Sequence, residues 1–289
     1  MKNRFIVCLS FLAGTVAAKM MKTIKPRLPG SFVQLYSVTV VLMMGILTAC
    51  QEPELVKTEK LNSVTSQAAR TQKEGALTRA NKAPEFPNLS DFVPAITNPY
   101  LAFKVGKIFY YESETGEGLE TNTVEITDDA KVIMGSIQAT VVHDLVYLDG
   151  ELIEETFDWY AQDKDGNVWY LGEDSKEYKN GEVISTAGSW EAGVQGAIPG
   201  LIMPANPSNG MKYRQEFLEG EAEDNAIVVN TDKTVTIGLG TFEGCLETME
   251  YSTLEHGVRE NKFYYPGTGL LVEVSHRTGE FNELVKVVN

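Results

Sequence analysis

Cysteine is scarce in this chain, and its positions leave little scope for a disulfide. The 289 residues include three cysteines: Cys8 and Cys50 lie in the N-terminal apolar region, and Cys245 lies alone in the remainder. A domain with one cysteine must be held together by its hydrophobic core and its backbone hydrogen bonds. Cys245 sits among apolar and β-forming residues with no histidine nearby in sequence, so we interpret it as a buried, unreactive thiol.

Basic residues are scarce beyond residue 50. The formal net charge is −15, and residues 1–50 carry six Lys or Arg and no acid, so the rest of the chain carries −21. Nucleic acids and anionic lipid headgroups both require a basic surface, which excludes nucleic acid as an expected partner. The sequence also has no GxxxxGK[ST] motif and no GxGxxG between a strand and a helix, so we expect no cofactor.

Recognisable catalytic motifs are missing as well. The histidines, His143, His256 and His276, are far apart and form no HExxH or comparable ligand spacing. Ser189 is not in a G-x-S-x-G nucleophile elbow. These absences leave an enzymatic activity undecided and favour a protein without one.

An export signal is the clearest functional feature that is present. The apolar run "SFVQLYSVTVVLMMGILTAC" follows the basic segment 22–27 and ends in Leu-Thr-Ala-Cys. This arrangement resembles the bacterial lipobox, which predicts that residues 1–49 are a signal peptide and that Cys50 is acylated. Met20 or Met21 is an alternative start. A transmembrane helix is the other interpretation, although the run is near the lower length limit for spanning.

Acylation of Cys50 predicts a membrane as the first partner. Two or three acyl chains, such as palmitate, are enough for stable anchoring. Gln51 is not the Asp that commonly retains such proteins at the inner membrane, so an outer membrane is favoured, with the domain in the periplasm or at the cell surface. Residues 50–85 have few aromatics and mixed charge, typical of a flexible tether. Residues 86–289 are then long enough for a single domain.

The domain sequence predicts an all-β fold. From residue 107 onward, β-branched and aromatic runs alternate with turn dipeptides such as Asp149-Gly150, Asp165-Gly166 and Asn180-Gly181, a strong hairpin signal. No stretch has a long helical period. We therefore predict a single antiparallel meander forming a strongly curved sheet or incomplete barrel. Carriers of the LolA type and lipocalins are similar by analogy, which does not fix a function.

The stretch "DKDGNVWYLGED" at 163–174 begins like a calcium loop, with Asp163, Asp165 and Asn167 at alternate positions. An EF-hand loop needs flanking helices, Gly at its sixth position and Glu at its twelfth, whereas this stretch has Val, Asp and flanking strands. We interpret it as a hairpin turn, with a weak metal site as the alternative. A two-residue Asp165-Gly166 loop would pair Gln162 with Trp169, Tyr160 with Leu171, and Asp158 with Glu173.

Two candidate sites follow from this hairpin and from the segment 188–214. Asp158 and Glu173 would be opposed like charges, which is costly unless the pair has a purpose. We interpret their face as the solvated side of the sheet, with a sugar-binding face as the alternative. The segment 188–214 is long and rich in Gly and Pro yet apolar, which suggests either a lid over a cavity or a loop covering the core. For a ligand between this segment and the sheet, the candidate binding residues are Tyr160, Trp169, Trp190 and Met203.

Four stretches give the sequence a family resemblance: "NPYLAFKVGKIFYYE", "DWYAQDKDGNVWYLGED", "GSWEAGVQGAIPGLIMPANP" and "NKFYYPGTGLLVEV". Together they resemble a group of bacterial exported proteins and lipoproteins without an assigned activity. The resemblance covers roughly residues 98 to 275 and implies no catalytic residue.

Three functions remain open from the sequence. The first is a non-enzymatic envelope lipoprotein that binds an apolar or sugar ligand or assembles with an envelope protein partner. The second is a glycan-directed hydrolase or lyase using Asp158 and Glu173 as acid and base. The third is a structural surface lipoprotein without a small ligand, which would expose an apolar patch to a partner.

Overall fold

A computed structural model describes residues 82–289, all of which fall within one compact unit. The predicted signal peptide, Cys50 and most of the tether lie outside the described residues. A short 3-10 turn, Leu89–Asp91, precedes sixteen strands. They are β1 (Phe92–Val93), β2 (Ile108–Glu114), β3 (Leu119–Ile133), β4 (Ile137–Leu148), β5 (Glu151–Asp163), β6 (Val168–Lys179), β7 (Glu182–Ser185), β8 (Trp190–Glu191), β9 (Ile198–Met203), β10 (Lys212–Arg214), β11 (Glu216–Phe217), β12 (Asp224–Ile237), β13 (Gly240–Ser252), β14 (Glu260–Tyr265), β15 (Gly269–Ser275) and β16 (Phe281–Val288).

The strands form one antiparallel sheet, which confirms the predicted all-β fold. Strands β2 to β6 are a meander, strands β12 to β16 are a second meander, and β16 pairs with β2 to join them. Along the sheet the order is β10-β12-β13-β14-β15-β16-β2-β3-β4-β5-β6-β9-β11. Among the described residues, no helix is long and apolar enough to cross a membrane.

The two ends of this thirteen-strand path are brought together by one chain segment. Lys212–Arg214 pairs with β12 at one end of the path, and Glu216–Phe217 pairs with β9 at the other. Gly200 allows the close approach, because a Cβ there would lie 2.1 Å from the carbonyl carbon of Gln215. The curved sheet is therefore nearly closed into a barrel-like shape, so that each strand has an inner and an outer face.

The hairpin β5–β6 differs from its predicted register near the turn and agrees with it further away. Tyr160 pairs with Tyr170, not with Leu171, and Gln162 pairs with Val168, not with Trp169. The predicted two-residue loop is wrong because the loop spans 164–167, closed by a hydrogen bond from the Asp163 N–H to the Asn167 carbonyl at 2.9 Å. A bulge beyond Tyr160 restores the register, so the predicted pairing of Asp158 with Glu173 is confirmed.

The segment 188–214 is more regular than its composition suggests. It contributes β8 and β9, which pair with β6, and β10, which pairs with β12. Trp190, Leu201, Ile202 and Met203 from this segment belong to the buried core, as does Cys245, the free thiol of the domain. The segment is therefore part of the wall and core of the sheet.

Candidate functional site

The inner face of the barrel-like sheet carries an unusual number of buried acids. Carboxylates are almost never fully buried unless they are paired. Eleven Asp and Glu residues are buried within residues 82–289. Eight of them, on β4–β6 and β11–β15, will be called the interior acid array: Asp144, Asp158, Glu173, Glu216, Asp224, Glu250, Glu260 and Glu273.

One buried cation is placed among these acids. The Lys262 side chain is fully buried, and its Nζ lies 2.8 Å from Glu250 Oε2 and 3.8 Å from Glu273 Oε2. Burial alone would lower the pKa of Lys262, but the charges of Glu250, Glu273 and Glu260 outweigh it and the pKa is raised. Lys262 therefore stays protonated and compensates part of the array.

The remaining acids respond to burial by retaining protons. Loss of hydration raises the pKa of Asp158 to about 7 and, together with the neighbouring Glu250 and Glu260, that of Asp224 to about 7. Burial, with the nearby charges of Glu216 and Asp158, raises the pKa of Glu173 well above its usual range. The array is thus partly neutral near pH 7, as expected for carboxyl groups in a medium of low dielectric constant.

The predicted pair of Asp158 and Glu173 belongs to this array, so the interpretation of their face as solvated is wrong: the two residues are 2% and 1% exposed. Tyr170 donates its hydroxyl hydrogen bond to Asp158 Oδ1 at 2.8 Å. The side chain of Glu173 is buried, with 1% exposed. Neither of its carboxyl oxygens has a hydrogen-bond partner of good geometry among the described residues. Next to it, Trp190 Nε1 donates to Glu216 Oε2 at 3.0 Å. Burial of both carboxyl groups leaves the pair without open access to a polymeric substrate.

The predicted ligand-binding residues do not gather at one surface. Tyr160 and Met203 are completely buried, with Tyr160 stacked on Tyr170 at 5.0 Å between ring centroids. Trp169 packs edge-on against Phe86 at 5.1 Å. Their positions are those of core residues, and the ligand role proposed for them stays a prediction.

The predicted metal residues organise the β5–β6 turn instead of standing free. Asp163 Oδ1 accepts hydrogen bonds from the Asp165 and Asn167 N–H groups at 2.9 and 3.0 Å. Asp163 Oδ2 accepts from Asn167 Nδ2 and Trp169 Nε1, both at 2.9 Å. Four donors occupy this carboxylate, and within residues 82–289 no group of three or more His, Cys, Asp or Glu is arranged to hold a metal ion.

A cleft of about 320 Å³ lies where the sheet meets the segment around β8. We call it the Trp159 cleft. It includes Trp190 and Glu173 from the predicted candidates and adds residues that the sequence did not single out. The lining residues are Lys131, Trp159, Glu173, Asp174, Ser189, Trp190, Glu191, Val194, Gln195 and Leu218.

A charged pair lies over an indole ring in this cleft. Lys131 Nζ is 3.2 Å from the centroid of the Trp159 ring and 2.8 Å from Glu191 Oε2. Sequence patterns could not find this arrangement, because the three residues come from β3, β5 and β8. The alternating pattern of β5 places Trp159 on the face predicted to be core, and no sequence motif includes Lys131.

Gly172 fixes the wall of the cleft. Its φ is +135°, and a Cβ there would lie 2.3 Å from the Trp190 carbonyl oxygen and 3.0 Å from Trp159 Cε3. Only a residue without a side chain lets β8 pack against β6 between these two tryptophans. The same residue follows the bulge that pairs Asp158 with Glu173.

A larger cleft of about 470 Å³ lies between the segment 89–94 and the residues 127–140. Its charged lining groups are Asp128 and Asp129, in the irregular part of β3. It contains no buried polar group without a partner among the described residues. The Trp159 cleft is therefore the better candidate site.

Comparison with known proteins gives weak similarities. No protein-family model matches the sequence, and no curated protein matches it. A solved structure of a proposed exported protein with a YmcC-like fold from Bacteroides fragilis is 12% identical, with a TM-score of 0.39, over 66% of this chain and 99% of that one. A proposed lipoprotein from Parabacteroides distasonis is 10% identical, with a TM-score of 0.36, over 65% of this chain and 98% of that one.

Identities and TM-scores this low identify neither a family nor a function for this chain. The motif-based resemblance to an uncharacterised group of exported proteins stays a prediction.

Proposed function

We propose that this protein is an exported, lipid-anchored protein of the cell envelope whose barrel-like domain is a non-enzymatic ligand-binding module. The anchor would be the acylated Cys50, with residues 51–85 as the tether, and the outer membrane is the favoured location. The strongly negative charge beyond residue 50 supports a role away from nucleic acid and anionic lipid surfaces.

The observation that carries the binding proposal is the composition of the Trp159 cleft. A partly exposed ion pair, Lys131 with Glu191, lies on an indole ring beside the buried carboxyl group of Glu173. Concave sites that combine an aromatic surface with a few convergent polar groups are typical of small-ligand binding. The volume of about 320 Å³ suits a ligand of modest size.

Native mass spectrometry of the full-length protein, purified gently in mild detergent, tests this proposal. We expect the wild type to retain a small-molecule mass and Val194→Trp, which fills the cleft, to lose it. Val183→Trp is the matched control, because Val183 on β7 is 49% exposed, Val194 is 47% exposed, and only Val194 lines the cleft. An adduct kept equally by both variants, or no adduct on the wild type, would contradict the proposal.

A glycan-directed hydrolase is the second candidate, favoured by one observation. Asp158 and Glu173 are directly opposed, and their raised pKa values are of the kind that a general acid requires. Asp158→Asn would then abolish the release of reducing ends from cell-envelope glycan. A wild-type protein that retains a ligand but releases no reducing ends would favour the binding module.

A further inference from the structure

The protein places one of its own ammonium groups on the Trp159 ring. Lys131 Nζ lies 3.2 Å from the ring centroid, and Glu191 Oε2 lies 2.8 Å from the same nitrogen. A cation over the face of an indole, with a carboxylate at its side, is the arrangement that proteins use to recognise ammonium ligands. The receptor groups for an ammonium ion are therefore assembled in this cleft.

Lys131 is not locked into this position. Its side chain and that of Glu191 are each about one-third exposed, at 34% and 33%. Ion pairs at this exposure contribute little to stability, and a long lysine side chain regains rotational freedom and hydration when it leaves. A competing ammonium group could therefore replace Lys131 at small cost to the fold.

The charges around the cleft favour a cation over other ligands. Asp174 and Glu191 line it against one base, Lys131. Glu173 also lines the cleft, but burial raises the pKa of its carboxyl group, so it is not counted as a charge here. Lys176 reaches Asp174 at 3.4 Å, so Glu191 is the carboxylate that is left to pair with a ligand cation once Lys131 has moved away. The net charge of −21 beyond residue 50 would also attract cations and repel anions over longer distances.

We propose that the Trp159 cleft binds a small molecule carrying an alkylammonium group, which replaces Lys131 over the ring and pairs with Glu191. This inference rests on the proposed ligand-binding function and names the chemical class of its ligand. The side chain of Lys131 then acts as an internal competitor that is displaced when the ligand binds.

Titration of the full-length protein with n-butylammonium, a mimic of the lysine side chain, tests the inference. The indole N–H resonance of Trp159, assigned by its loss in Trp159→Phe, reports binding at the cleft. Removing the competitor in Lys131→Ala should tighten binding about tenfold, equivalent to about 1.4 kcal/mol. Lys164→Ala removes a comparable surface lysine, paired with Asp91 at 3.0 Å, and should leave binding unchanged.

Two further probes decide whether charge is recognised. Adding Glu191→Gln to Lys131→Ala should weaken n-butylammonium binding about tenfold, whereas Glu151→Gln, at an exposed strand end, should not. The neutral 1-butanol should leave the Trp159 resonance in place. Equal shifts with 1-butanol, or no tightening in Lys131→Ala, would overturn the amine inference. A small-molecule mass that is lost in Val194→Trp would still uphold the binding function in that case.

Discussion

Asp158 and Glu173 face each other across β5 and β6, with both carboxyl groups buried on the inner side of the sheet. Like charges opposed in this way are costly when both are ionised. The cost is reduced because burial raises both pKa values, so that the pair is partly protonated near neutral pH. The inner face therefore depends on protons as well as on Lys262 for its charge balance.

This dependence predicts that the domain is more stable at pH 5 than at pH 8. Asp158 and Asp224 have folded-state pKa values of about 7, against 3.8 in an unfolded chain. Between pH 4 and 7 the folded state binds more protons than the unfolded state, so stability falls as pH rises through this window. Each such proton contributes a slope of about 1.4 kcal/mol per pH unit.

Urea denaturation at pH 5, 6, 7 and 8 measures this slope. Asp158→Asn removes one titrating group and should flatten the profile, whereas Asp165→Asn, at an exposed turn position, should leave it unchanged. A free energy of unfolding that is constant or rises from pH 5 to 8 would contradict this prediction. It would show that the carboxyl groups of the interior acid array ionise in the folded protein without a loss of stability.

Lys262→Met should destabilise the domain by about 3–5 kcal/mol, because it leaves Glu250 and Glu273 buried without their cation. Lys233→Met is the matched control: Lys233 pairs with Glu247 at 3.4 Å but is 46% exposed, so a loss below about 1 kcal/mol is expected. The double variant Lys262→Met with Glu250→Gln should recover part of the loss in urea denaturation. Equal losses for the two single lysine variants would contradict the role given to Lys262.

Gly172→Ala should destabilise the domain by about 3 kcal/mol and disrupt the Trp159 cleft, because its Cβ would overlap the Trp190 carbonyl oxygen. Gly116→Ala is a suitable control, since the nearest atom to a Cβ there is a glutamate side-chain oxygen at 3.9 Å. The change in melting temperature and in tryptophan fluorescence measures both effects. A Gly172→Ala protein as stable as the wild type would mean that β8 can move away from β6 without a loss of stability.

Asp163→Ala should cost about 2–4 kcal/mol, since Trp169 Nε1 and the N–H of Asn167 lose their buried acceptor. Asp165→Ala changes an exposed side chain of the same turn and should have an effect below about 0.5 kcal/mol. Melting temperatures in calcium and in chelator should agree, because donors already occupy the Asp163 carboxylate. A clear stabilisation by calcium that is lost in Asp165→Ala would revive the metal-site alternative.

Much of the fold could be predicted from the sequence because alternation and turn dipeptides are local signals. Asp149-Gly150 and Asn180-Gly181 lie in the turns that join β4 to β5 and β6 to β7, as predicted. Asp165-Gly166 misled the prediction of register, because Asp163 organises a longer loop through its side chain. The bulge near Leu171 then compensated for the error, so the pairing of Asp158 with Glu173 was correct although the assumed turn was not.

The candidate site was only partly predictable for a physical reason. Trp190 and Glu173 were singled out for their type and position, and both line the Trp159 cleft. Lys131 and Trp159 become neighbours through the pairing of β3 with β4 and of β4 with β5, which places Lys131 opposite Ala139 and Trp159 opposite Val141. No local sequence pattern encodes that pairing. Tyr160, Trp169 and Met203 have the residue types of a binding site but pack in the core.

A crystal structure of the protein purified from its own cells, without added ligands, is the direct test of ligand binding in the Trp159 cleft. We expect electron density for a small non-protein molecule over the Trp159 ring, with Lys131 displaced and Glu191 in contact with the bound molecule. A cleft that contains only water, with Lys131 on the ring and an ordered ligand elsewhere on the domain, would contradict this expectation.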